Sequence, residues 1–263
     1  MTELAYADAV VVVTGASTGL GRAIAQGVAR QGARGVVINF AQSREAAEIT
    51  ARLVQETGAE PVLAQGDISK DEDCQRIVAA AAEFGRIDVL FNNAAVSRAG
   101  NFDDLVAEAF MDLYRVNVVG TFQMTRAARP LLEAAQMPAV VNTSSLTAIT
   151  GEGSSLAYTI SKGALNTLGQ ALARELAPAI RVNTICPGFI DTEWFDKLAP
   201  AGGTAQLREF IRKASALQAV SNAEDVADAA LFLGSPAARH ITGETLIVDA
   251  GLRLGPSRAR AKA

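Results

Sequence analysis

Residues 10–21 read Val-Val-Val-Val-Thr-Gly-Ala-Ser-Thr-Gly-Leu-Gly. Four consecutive valines, Val10 to Val13, are the pattern of a short strand covered on both faces, because a half-exposed strand would alternate with polar residues. Glycines at 15, 19 and 21 follow, and Ile24 and Val28 then recur at a helical spacing. Strand, glycine-rich turn and helix is the arrangement that receives a nucleotide's phosphates. Gly15 permits the tight turn, while Gly19 and Gly21 let the backbone approach a pyrophosphate. The helix start offers unpaired N–H groups to the anion. The spacing is G-x-x-x-G-x-G, and taken alone it is equally compatible with a simple chain reversal.

Outward from this unit, short apolar runs alternate with longer helical periods. Strands are expected at Val10–Val13, Val36–Phe40, Glu60–Gln65, Val89–Asn92, Ala139–Thr143, Arg181–Cys186 and Thr245–Val248. Helices are expected at Leu20–Gln31, Ser43–Thr57, Asp71–Phe84, Asp103–Val116, Gly120–Ala135, Ser154–Ala177 and Ala223–Gly234. Ser69 and Asn222 read as helix N-caps, and Gly32, Gly58 and Gly85 as helix stops. Strict alternation predicts an α/β fold, a doubly wound parallel sheet with helices on both faces, in one domain over residues 1–263. Pro200 to Gly203 reads as a local turn.

Composition narrows the function. The chain has 263 residues, 49% of them hydrophobic, and a net charge of −4. An acidic chain has no electrostatic footprint for nucleic acid. The one basic run is the tail from Arg253, expected to be solvated. Cys74 and Cys186 form no metal or redox motif, and two free thiols suggest a reducing cytoplasmic setting. No metal site is expected. No apolar run approaches the ~20 residues of a membrane span, and the first residues lack the pattern of a signal peptide. His240 is the single histidine, which leaves little room for Ser-His-Asp chemistry.

A second constellation carries chemistry. Tyr158 and Lys162 lie one helical turn apart in Tyr-Thr-Ile-Ser-Lys, so both fall on one face of the helix. Free tyrosine ionises near pH ~10, and an ammonium beside it would stabilise the phenolate and make it a usable acid–base group. The bland alternative is a tyrosine at the core edge with a solvated lysine.

With both features in view the chain resembles the short-chain dehydrogenase/reductases, single-domain NAD(P)(H) oxidoreductases. The matching segments are TGASTGLG at 14–21, GDIS at 66–69, NNAA at 92–95, NVVG at 117–120, VNTSS at 141–145, YTISK at 158–162, PGFIDT at 187–192 and ITGETLIVDAG at 241–251. Ala95 and Ala250 stand where the family usually has glycine. The first puts local geometry along the cofactor path in question, and the second is expected to be minor. The resemblance implies a Rossmann fold whose seven strands are ordered 3-2-1-4-5-6-7. It also implies roles: Tyr158 as general acid or base, Lys162 supporting it and holding ribose hydroxyls, Ser145 bonding the substrate oxygen, and Asn117 holding a relay water. Cofactor contacts are implied at Gly15, Ser17, Thr18, Gly19, Leu20 and Gly21, at Asp67 and Ile68 around adenine, at Asn93, Ala94 and Ala95 by the ribose, and at Pro187, Gly188, Ile190 and Thr192 by the nicotinamide.

Cofactor choice is expected to turn on Asn39 to Arg44, the end of the second strand, where no Asp or Glu stands to repel a 2′-phosphate. Ser43 and Arg44 can donate to one, so NADP(H) is favoured, with NAD(H) as the alternative. Residues 193–220, with Trp194, Phe195, Leu198 and Phe210, stand where the family has a substrate loop. They suggest a small, apolar or mid-sized carbonyl or alcohol substrate. The 3-oxoacyl-[acyl-carrier-protein] reductases are similar, but Glu133–Met137 and Ala177–Ala179 lack the basic residues that would suit an acidic carrier protein. A non-catalytic, cofactor-sensing protein is the other alternative. Small residues along Gly120–Ala135 and Ser154–Ala177 would let helix backbones approach closely, and the resemblance implies that these two helices pair across a two-fold axis in a homotetramer, with a dimer as runner-up.

Overall fold

Seven strands, each parallel to its neighbours, form one sheet in the order 3-2-1-4-5-6-7. They are β1 (Val10–Val13), β2 (Gly35–Phe40), β3 (Glu60–Gln65), β4 (Val89–Asn92), β5 (Ala139–Thr143), β6 (Arg181–Pro187) and β7 (Thr245–Val248). The computed structural model describes residues 5–192 and 204–257. β1 lies between β2 and β4, which explains its four fully buried valines. Val11 and Val13 face one layer, with Ile24, Val28, Val54 and Leu231. Val10 and Val12 face the other, with Ile77, Met124, Leu132 and Leu172. The unalternating sequence is thus a strand with a core on each side.

The layers are built by α1 (Gly19–Arg30), α2 (Arg44–Gln55), α3 (Asp71–Ala79), α4 (Ala107–Tyr114), α5 (Thr121–Glu133), α6 (Thr147–Thr150), α7 (Leu156–Leu176), α8 (Thr204–Ala214) and α9 (Ala223–Gly234). Asn222 caps α9 in a reciprocal capping box with Asp225. Gly32, Gly58 and Gly85 take positive φ and stop their helices as expected.

Several expectations are corrected. Ser69 is not the N-cap of α3: Lys70 holds that position, and the Ser69 N–H donates to Asp67 Oδ1. Three acidic residues in the first turn, Asp71, Glu72 and Asp73, complement the helix dipole instead. The helix expected to Phe84 ends at Ala79, and a separate 3₁₀ turn covers Ala82–Phe84. The helix expected over Asp103–Val116 begins only at Ala107, and at Arg115–Gly120 it passes through a π-helical turn into α5. The short α6 had no periodic signal. Trp194, Phe195, Leu198 and the turn Pro200–Gly203 lie outside the described residues.

One side chain fastens the last third of the chain to the sheet. Arg181 opens β6, and its two terminal nitrogens donate to the carbonyls of Leu233, Gly234, Ser235, Ala238 and Ile241. These carbonyls close α9 and the turn after it, where a helix leaves acceptors unpaired. The guanidinium fork can serve several at once. Tyr6 adds a bond from its hydroxyl to Leu231 O of α9.

Ala250 overturns a further expectation. It follows β7 with φ +52°, in the left-handed region where a Cβ costs ~1–2 kcal/mol. The position is not a neutral departure from glycine. Its carbonyl accepts the Leu217 N–H, so the strained turn also holds the chain beyond α8. Ala250→Gly should relieve the strain, offset partly by glycine's extra freedom in the unfolded chain, ~0.4–1 kcal/mol. The expected net gain is ~0.5–1 kcal/mol, seen as a small upward shift of the thermal midpoint. A lower midpoint would show that the turn is relaxed with alanine.

Candidate active site

Because every strand runs the same way, all seven carboxyl ends share one edge of the sheet. The glycine turn, the segment 39–44, Asp67, Asn93 to Ala95, Ser145 and Pro187 to Thr192 all lie at that edge. It is the edge where open α/β sheets bind ligands.

The glycine turn is held from both sides. The Gly15 N–H donates to Asn39 Oδ1, and Asn39 Nδ2 donates to the Ala64 and Gly66 carbonyls. From β4, Asn93 Nδ2 donates to the carbonyls of Thr14 and Gly15, and the N–H groups of Asn93 and Ala94 donate to Thr14 Oγ1. The buried Asn39 and the partly buried Asn93 therefore brace the turn, with both Asn39 side-chain atoms already engaged. A Cβ at Gly15 would stand 2.8 Å from Ala94 Cα, and one at Gly21 would stand 2.6 Å from Asn93 Nδ2. A Cβ at Gly19 would meet only Thr192, at 3.7 Å. The turn is closed behind and open in front, which fits a dinucleotide pyrophosphate on the start of α1. Ala95 is exposed and its φ is not left-handed, so alanine sits there without backbone strain.

At the adenosine end, Ser43 precedes α2 and makes no capping bond with its side chain. Arg44 lies over the Phe40 ring and donates to Gln65 Oε1, with Glu48 4.0 Å away. Asp67 accepts from Ser69 while its own N–H donates to Asp73, and Ile68 beside it is buried. Sequence reasoning missed Arg22. It stands in the first turn of α1 and bonds Ser17 O, Ala46 O and Thr50 Oγ1. A cation placed against a helix dipole was the available signal.

The second constellation assembles beyond β5 and on α7. Ser155 caps α7 by accepting the Tyr158 N–H. The Tyr158 phenol lies near enough to Ser145 for the serine hydroxyl to favour the phenolate, while Ser145 Oγ accepts the Thr147 N–H. Lys162 is fully buried, and its Nζ donates to the Thr143 carbonyl at 2.8 Å, 5.8 Å from the centre of the Tyr158 ring. Ser144, one residue off, is turned inward and donates to the Lys162 carbonyl. Asn117 sits in the π-helical turn. Its Oδ1 accepts the Val96 N–H, and its Nδ2 donates to Val96 O and to Ser161 Oγ on α7. Asn117 thus ties the strand end after β4 to the helix that carries Tyr158 and Lys162, a use of a π-turn at a functional site.

The electrostatics differ from the simple expectation. Burial pushes the Tyr158 phenol up to about 12, against a lowering contribution from the Ser145 hydrogen bond. Burial also lowers Lys162 to about 8. Lys162 does not depress the phenol here, because its ammonium points at a backbone carbonyl and desolvation dominates both groups.

In the segment after β6, Arg208 of α8 grips Asp191 through Nε and Nη2, at 2.7–2.8 Å. The Asp191 N–H donates to Ser221 O, and Leu146 N–H to Pro187 O. A Cβ on Gly188 would stand 2.8 Å from Asp249 Cβ, so the segment after β6 is pressed against the segment after β7. Among the described residues no cluster of His, Cys, Asp and Glu could hold a metal ion. No helix there is long and apolar enough to cross a membrane.

Comparison with known proteins agrees with this geometry. A family model described as Enoyl-(Acyl carrier protein) reductase matches residues 15–253. L-rhamnose 1-dehydrogenase (NAD(P)(+)) of Azotobacter vinelandii is 36% identical, over 93% of this chain and 96% of its own. A Streptomyces violaceoruber protein with a provisional ketoacyl reductase name from the granaticin polyketide synthase is 38% identical, over 93% and 96%. The solved structure of a short chain dehydrogenase from Burkholderia cenocepacia in complex with NADP superposes with a TM-score of 0.85 at 32% identity, over 95% of this chain and 99% of the other. Sheet order, edge site and relatives over nearly the whole chain lead to one conclusion: the protein belongs to the short-chain dehydrogenase/reductase family of NAD(P)-dependent oxidoreductases.

Proposed function

We propose that the chain, acting as one catalytic unit, interconverts a carbonyl and a secondary alcohol on a small molecule, with Tyr158 as the proton donor and acceptor. The observation that carries this reading is the Tyr158 phenol near Ser145 with the buried Lys162 ammonium 5.8 Å from its ring centre, at the same carboxyl edge of the sheet as the glycine turn. A nicotinamide, when bound, supplies or takes the hydride. Ser145 and Tyr158 both address the substrate oxygen, Ser145 by a hydrogen bond to the charge that grows there and Tyr158 by passing its proton. In the free protein the phenol is kept protonated, which suits reduction. Lys162 is positioned to bond ribose hydroxyls and to favour the phenolate as charge builds. Asn117 holds the register of α7 through Ser161 and Val96. Gly15 to Gly21 would hold the pyrophosphate, Asp67 and Ile68 the adenine, Asn93 to Ala95 the ribose, and Pro187, Gly188, Ile190 and Thr192 the nicotinamide end.

NADP(H) is the favoured cofactor. The end of β2 carries no acidic side chain, and the polar partners of Arg44 among the described residues, Gln65 and Glu48, are exposed, so a phosphate would displace them at little cost. The substrate is a small carbonyl or alcohol. The Streptomyces relative's name favours a ketoacyl thioester as the second reading, while the lack of basic residues at 133–137 and 177–179 speaks against a carrier protein as its bearer. Met111 and Tyr114 of α4, Phe122 of α5, and Leu156 and Ile160 of α7 are exposed. That apolar face supports pairing with a second copy, and in turn a tetramer.

Tyr158→Phe keeps the ring and removes the donor, so turnover of a ketone panel should fall ~10²-fold or more while dinucleotide binding persists. Near-normal turnover would assign the proton to another group. Arg44→Ala should weaken NADPH binding by ~1.5–3 kcal/mol at most and leave NADH nearly unchanged. Equal or tighter NADH binding by the unaltered protein would reverse the cofactor assignment. Light scattering at micromolar concentration should give about four times the 27.4 kDa chain mass. A monomeric mass would remove the assembly.

A further inference from the structure

Arg22 directly follows the last glycine of the turn, and the roles assigned above leave it unused. Its Nη2 donates to Ser17 O at 2.6 Å and to Ala46 O at 3.3 Å, and its Nε to Thr50 Oγ1 at 3.0 Å. Thr50 is fully buried, and its hydroxyl faces the same two carbonyls. All these partners are neutral, and among the described residues Arg22 makes no ion pair with a carboxylate. It also sits in the first turn of α1 and against the first turn of α2, where both helix dipoles oppose a positive charge. Among the described residues its Nη1 has no acceptor, so a guanidinium held in such a place can still receive an anion.

We propose that Arg22 is a specificity-determining residue, favouring the 2′-phosphate of NADP(H) from beneath the Ser17–Thr18 peptide. The proposal rests on the reading that the glycine turn holds a nicotinamide dinucleotide. Two features point to the 2′-phosphate rather than to the pyrophosphate that both dinucleotides share. Ala46 and Thr50 belong to α2, which begins at Ser43 and Arg44, on the adenosine side of the turn. Asn93 and Ala94 close the turn behind its open, pyrophosphate-facing side, and Arg22 makes no hydrogen bond with either among the described residues. The tether also orients the backbone. With the Ser17 carbonyl drawn toward the α1–α2 joint, the Thr18 N–H across the trans peptide points away from it. Thr18 brings no charge to the turn, and Arg22 supplies one from the α1–α2 joint. Arg44, folded over Phe40 toward Gln65, then closes the phosphate from the other side.

The test is a pair of fluorescence titrations, NADPH and NADH, on the unaltered protein, Arg22→Gln and Arg22→Lys, with thermal unfolding measured without cofactor. The ratio of the two dissociation constants is the readout, because a merely structural role would weaken both dinucleotides together. The preference for NADPH over NADH should fall about tenfold to a hundredfold in Arg22→Gln, the loss expected for a charged hydrogen bond. It should stay within about threefold of the original in Arg22→Lys, which keeps the charge. Arg22→Ala gives the same reading should the glutamine variant fail to fold. An unchanged ratio in the glutamine or alanine variant, with or without a lower midpoint, would overturn the assignment of Arg22. Failure of the unaltered protein to bind either dinucleotide would instead overturn the cofactor reading beneath it.

Discussion

The site depends on one buried ammonium. Lys162 is removed from solvent and, among the described residues, has a single acceptor for its ammonium, the carbonyl of Thr143 at the end of β5. A lone cation in such a setting is costly, and its affinity for its proton falls accordingly. Nothing but a precise registry between α7 and the end of β5 keeps that acceptor within reach. The residues around it serve the registry. Ser144 ties the end of β5 to the Lys162 carbonyl, Ser155 caps α7 under Tyr158, and Asn117 joins Ser161 to Val96. The proposed catalytic hydroxyls of Ser145 and Tyr158 are held near each other because these polar ties leave α7 little room to slide.

The same registry accounts for the direction of the pKa shifts. A charged lysine could depress the phenol only if it pointed at it. Here the ammonium is spent on a backbone carbonyl, and desolvation moves both groups toward their neutral forms. The free site is therefore poised as a neutral acid over a reluctant cation, and ligand hydroxyls and growing negative charge would complete its electrostatics.

Much of this could be read from the chain. Val10 to Val13 specify a strand with a core on both faces, because four valines in a row have no solvent side. The glycines at 15, 19 and 21 mark a turn with no space behind it, as the contacts of Ala94 and Asn93 bear out. Other features left no mark in one-dimensional periodicity. The π-turn at Arg115–Gly120 inserts a residue into a pattern that still reads as helix, so its placement of Asn117 was hidden. Asn39 was expected beside the cofactor because it ends β2, but its side chain is needed behind the glycine turn. Ala250 is a small residue by sequence and a strained one only once its φ is known. The neutral surroundings of Arg22 depend on α2 folding back against α1, a long-range contact that no local motif encodes.

The fastening of α9 by Arg181 has a consequence for how the chain is made. The guanidinium leaves the ribosome with β6, but its five carbonyl acceptors lie between residues 233 and 241. Until that stretch emerges, the nascent sheet carries an uncapped cation at its growing edge, and β7 has no docked helix to lead it in. Vectorial synthesis therefore leaves the six-stranded body waiting on residues 233–248. The exposed edge of β6 is then the part of the nascent protein most in need of shelter from other chains.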